Sequence, residues 1–143
     1  MSARGLEVID HSIQTTYEWI NELGGRLGWS SDRSTLRLLR TTLRHLRDHL
    51  LVDELAQFSA QLPLLIRGML FEGWVPKATP IKERSAEDFV RHIEAQFGDT
   101  EEYRGVADIT CVFKLLNAKI SAGEVEDIRA SLPSDIRALW PAP

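Results

Sequence analysis

The sequence predicts an all-α fold in which two copies of a four-helix unit pack into one pseudo-twofold helical bundle. Three observations carry this expectation. Residues 17–70 lie over residues 87–140 at a constant offset of 70 with no gap. The matched positions are apolar pairs, among them Trp19/Phe89, Leu23/Ile93, Leu27/Phe97, Leu39/Ile109, Leu43/Phe113, Leu50/Ile120, Phe58/Ile128 and Met69/Leu139. Apolar residues recur at three and four along the chain rather than alternating, which is the period of a helix and not of a strand. Identities at the same offset include Gly28/Gly98, Leu46/Leu116, Glu54/Glu124, Ala60/Ala130 and Ile66/Ile136, with a signature of Leu62, Pro63 and Arg67 over Leu132, Pro133 and Arg137. These are mostly packing and turn residues, the kind an old duplication keeps. A unit of this size alone would bury only about 60% of its unfolded surface, so the two are expected to share a core within a single domain, 1–143.

The elements follow in order. A first helix runs from about Leu6 to Leu27 and stops at Gly28, suited to the left-handed position that ends many helices; Gly98 repeats the stop. Ser30, Ser31 and Asp32 offer N-caps for a second helix whose Leu36, Leu39, Leu43, Leu46 and Leu50 fall on one stripe. Its counterpart is Val106 to Ile120. The third helix is clearest in the second copy, where Ser121 and Glu124 have the spacing of a capping box; the first copy keeps Glu54 but has Leu51. Leu-Pro then ends that helix, and Pro63 and Pro133 open a short fourth one. Between the copies, residues 73–84 with Pro76 and Pro80 read as an extended linker before a helix capped by Ser85.

The composition, 43% hydrophobic and 27% charged with mean hydropathy −0.18, is that of a soluble globular protein. No apolar run nears the ~20 residues a membrane span needs. The first ten residues lack the apolar core of a secretory signal, and a single cysteine, Cys111, cannot form an internal disulfide, so a cytoplasmic location is expected. The net charge of −4 argues against nucleic acid as the main partner. Residues 1–76 carry 8 basic and 9 acidic groups and residues 77–143 carry 9 and 12, so neither half is basic.

The run Gln61-Leu-Pro-Leu-Leu-Ile-Arg-Gly68, followed by Met69-Leu-Phe-Glu-Gly-Trp74 within the duplicated layout, resembles the bacterial domain-of-unknown-function 2267 family. The resemblance spans nearly the whole chain. It implies an all-helical, bacterial, cytosolic protein, and it transfers no catalytic residues because the family has no established activity. Met69 and Leu70 stand where an aromatic pair is common in it.

Four constellations carry chemistry. Arg33, Arg37, Arg40, Arg44 and Arg47 fall within an arc of about 80° on one helix. They suit an anionic partner, since arginine offers a planar fork to carboxylate or phosphate. The second copy has Tyr103, Ala107, Thr110, Lys114 and Asn117 instead, so the common scaffold does not require them. The competing account is a solvated face balanced by acids such as Glu18, Glu22, Asp48, Glu101 or Glu102. His45 and His49, four apart, have the spacing of two ligands on one metal. Two ligands do not make a site, the third being sought at Asp53, so no metal is assigned. In the segment from Pro63 to Trp74, Phe71 and Trp74 suit a partner interface, while Arg67, repeated as Arg137, suits holding carbonyls where two helices meet. Cys111, aligned with Thr41, reads as a packing residue.

No dinucleotide, phosphate-loop, nucleophile-elbow, CxxC or EF-hand motif is present. No cofactor and no catalytic residue is implied, and the balance is against an enzyme. The reading is a non-enzymatic interaction protein, open to self-association, that uses the arginine face with Phe71 and Trp74. The alternative is a regulatory domain that holds a small anionic or apolar ligand between the two copies.

Overall fold

Glycine, serine and proline set the helix ends in the computed structural model, which describes residues 5–98 and 100–143. Helix α1 spans Glu7–Leu27, α2 Asp32–Arg47, α3 Val52–Ala60 and α4 Leu64–Phe71. After a 3-10 turn at Pro76–Ala78 come α5 Ala86–Phe97, α6 Val106–Lys119, α7 Ala122–Ser131 and α8 Ser134–Arg137. No strand occurs among the described residues. None of their helices is long and apolar enough to cross a membrane.

Gly28 ends α1 at φ 73°, and its N–H donates to the Gly24 carbonyl at 2.8 Å. Side-chain oxygens of Ser31, Ser85 and Ser121 accept the N–H groups of Ser34, Asp88 and Glu124 at 3.1, 3.0 and 3.2 Å. Each satisfies one of the donors a helix leaves open at its start. The expected capping box at Ser121 is only half made. The Ser121 N–H donates at 2.9 Å to Gln61 Oε1 rather than to Glu124, whose carboxyl is buried elsewhere. Pro63 and Pro133 sit at the N-cap, one residue before the helix proper. The linker is not simply extended, since the 3-10 turn interrupts it and Ile81 N–H donates to Asp48 O at 2.9 Å, fastening it to the end of α2.

Helix α2 is central, packing against α1, α4, α5 and α6, while α1 also meets α6 and α3 meets α7. That position explains a difference from the predicted stripe. Leu38, off the stripe, is fully buried beside Leu39 and Leu43, while Leu36 is only half-buried, because neighbours cover α2 on more than one face. Each fully buried leucine or phenylalanine contributes about 1.5–3 kcal/mol relative to an exposed one. Trp140 closes the second end of this core by stacking on Phe113, ring centroids 4.7 Å apart.

Candidate functional site

The arginine face divides along its length. Arg33 and Arg37, on the first turns of α2, are exposed. Arg40 Nη2 donates to Glu72 Oε1 at 3.0 Å, Arg44 pairs with the same oxygen, and Arg44 Nε donates to Met69 O at 3.0 Å. Arg47 is buried, with Nη1 at 2.7 Å from Leu70 O and 2.8 Å from Glu72 O and Nε on Asp48 at 2.9 Å. Arg44 and Arg47 thus grip the last carbonyls of α4, which carry the negative end of the helix dipole, while Arg40 reaches only the Glu72 carboxylate beside them. The main balancing acid is Glu72, with Asp48 on Arg47. Glu22 instead pairs with Lys119 at 2.8 Å, and Glu102 receives the Ser30 and Ser31 N–H groups ahead of α2.

The positions seventy residues on do the same work with neutral groups. Thr110 Oγ1 donates to Leu139 O at 3.3 Å, and Asn117 donates to Pro141 O at 2.9 Å while accepting from Trp140 Nε1 at 2.7 Å. Phe71 and Trp74 are half-buried against the core with ring centroids 5.4 Å apart. Arg67 Nε donates to Ser59 O at 2.8 Å and its Nη2 to Leu62 O at 3.0 Å; Arg137 bonds Arg129 O at 2.6 Å and Leu132 O at 2.8 Å in the same way. Cys111 is half-buried, and burial followed by the nearby Asp108 charge pushes its thiol pKa up, the opposite of what a nucleophile needs.

The histidines gain partners from outside their own segment. His45 in the last turn of α2 and His49 just beyond it direct Nε2 at Glu83 Oε1, at 2.7 and 2.9 Å. His92 of α5 binds the other carboxylate oxygen through Nδ1. The Glu83 side chain is only 5% exposed. Burial alone raises its carboxyl pKa, but the hydrogen bonds from His49, His45 and His92 outweigh that and hold it below the ordinary range. Burial lowers the His49 pKa against the pull of Glu83. Asp53, the expected third ligand, stays outside this group; it is exposed on the first turn of α3. Glu83 and His92 were not found from the sequence, because neither has a local spacing that ties it to His45.

Two cavities flank the cluster. A cleft of about 830 Å³ lies between the start of α3, the linker and the α7–α8 junction, lined by His49, Leu51, Glu54, Ile81, Glu83 and Pro133. A second cavity of about 530 Å³ opens on the side of His45, Glu83 and His92.

Fold and site together define an all-helical protein with a polar cluster set between two cavities. Residues 16–139 match the family described as Uncharacterized conserved protein (DUF2267), and the chain belongs to that family. No curated protein matches it.

Proposed function

We propose that this protein is a non-enzymatic binding domain that takes a small ligand in the cleft between two related halves. The observation that carries the reading is the 830 Å³ cleft itself, bounded by residues of both segments and the linker. A largely apolar hollow with a few convergent polar groups is the usual form of a ligand site. Leu51, Pro80, Ile81 and Pro133 offer apolar walls, and Lys82 and Arg84 line it as exposed cations. That combination favours a molecule with an apolar body and an anionic group.

We also infer that segments 17–70 and 87–140 are duplicates related by an approximate twofold axis. Support comes from the packing: α3 meets α7 and α2 meets α6, each helix against its own counterpart, while α1–α6 and α2–α5 are reciprocal pairs. Such reciprocity is the property of an isologous interface. The matched hydrogen bonds of Arg67 and Arg137 add to it.

A second reading is a protein interaction at the start of α2, where Arg33 and Arg37 are exposed and make no ion pair among the described residues. An exposed apolar stripe along α1 and its N-cap, Leu6, Ile9, Ile13 and Tyr17, supports self-association. Thermal-shift screening with acyl compounds and phospho-metabolites tests the cleft. Stabilisation abolished by Ile81→Trp is the expected result; stabilisation that Ile81→Trp leaves intact, or none at high excess, overturns it. Loss of a captured partner in Arg33→Glu/Arg37→Glu would favour the second reading.

A further inference from the structure

We propose that His45, His49, His92 and Glu83 form a binding site for a divalent transition-metal ion of the zinc class, which ties the linker to α2 and α5. The proposal stands independently of the cleft ligand. Three elements converge on it: the end of α2 supplies two imidazoles, α5 a third, and the linker a carboxylate. One donor atom from each of His45, His49 and Glu83 lies within 4.8 Å of the others, and His92, outside that spacing, would join as a fourth by turning from the other Glu83 oxygen. A tetrahedral zinc ion with bonds of about 2.0–2.1 Å spaces its donors roughly 3.3 Å apart, so modest side-chain movement accommodates one.

The composition of the cluster separates it from an ordinary buried network. A carboxylate buried this deeply is normally matched by arginine or lysine, and the chain has 17 of these. Glu83 instead faces three imidazoles, three of the four histidines in the sequence. Imidazole with carboxylate is the donor set of zinc and its neighbours, not of magnesium or calcium.

In the ion-free arrangement each coordinating nitrogen directs a proton at Glu83. Binding moves that proton to the other ring nitrogen and turns the lone pair to the ion. The ion has a route in, because the 530 Å³ cavity opens on His45 and His92, and the His92 side chain is 55% exposed. Arg91 also lines that cavity but is paired with Asp88.

The linker is the element with most to gain. Glu83 is a buried side chain of the linker, and its neighbours Ile81, Lys82 and Arg84 line the larger cleft. A bound ion would lock those residues in place.

The test uses tag-free full-length protein titrated with Co²⁺ while visible absorption is read, then Zn²⁺ in competition. One ion per chain with the intense bands of tetrahedral cobalt is expected. His45→Ala, His49→Ala and Glu83→Gln should each weaken binding by about 100-fold or more, and His92→Ala by at least about 10-fold. His11→Ala, on exposed α1, should change nothing. His92→Ala keeps the test decisive if a more buried substitution prevents folding. Absence of tetrahedral bands, or binding that survives both His92→Ala and Glu83→Gln, overturns the proposal.

Discussion

Glu54 and Glu124, seventy residues apart in sequence, face one another where α3 packs on α7, each with a buried Oε2 that has no hydrogen-bond partner among the described residues. Burial, and after it the neighbouring Glu54 carboxyl and its charge, push the Glu124 pKa up to about 8. Two carboxylates this close cannot both ionise cheaply, so at neutral pH Glu124 keeps its proton.

Stability should therefore depend on pH through this pair. The folded pKa lies above the unfolded value of about 4.3, so the contribution is complete below that and disappears as pH rises through 8. Glu124→Gln, which keeps a neutral donor, should gain about 1–2 kcal/mol over the natural chain at alkaline pH. Urea midpoints between pH 5 and 9 measure the difference. A difference that stays constant with pH would remove the raised Glu124 pKa.

Arg47 and Arg37 share a helix face but should respond very differently. Arg47→Ala leaves the Leu70 and Glu72 carbonyls without their donor and should cost about 2–4 kcal/mol. Arg37→Ala on the exposed turn should stay within about 0.5 kcal/mol. Thermal denaturation of the two variants compares them directly, and equal losses would contradict the division of the face.

Arg67 and Arg137 should behave as a matched pair. Each ties three carbonyls at a Leu-Pro junction, so alanine at either should cost roughly 1–3 kcal/mol and the two losses should agree within error. A loss confined to one of them would weaken the case for duplicate units.

Gly28 is held at φ 73° with open space around its Cα. Gly28→Ala should therefore cost about 1 kcal/mol from backbone strain alone. A much larger loss would point to a steric contact that the structure does not contain.

Local chemistry was legible in advance. The stop at Gly28, the caps at Ser31, Ser85 and Ser121 and the Leu-Pro junctions all lie where the sequence predicts them. The capping box at Ser121 shows the limit. Its spacing was right, but Glu124 turned to Glu54 and Gln61 took its place, a choice set by what packs against α7.

The candidate site shows the same limit more strongly. His45 and His49 were visible as a pair four residues apart, yet Glu83 and His92 have no sequence relation to them. Their meeting depends on the path of the linker and on α5 lying against α2. Likewise, the arc of five arginines was readable from helical geometry, whereas their division into two exposed side chains, one on Glu72 and two that grip α4 was not.

By itself the sequence determined the helices, their ends and the offset of 70, because these depend on spacings of three and four residues and on single turn-forming side chains. Tertiary structure alone decided which charges are neutralised and which imidazoles meet. Helical periodicity places a side chain on a face, but its partner comes from another element whose approach is set by the packing of the whole core.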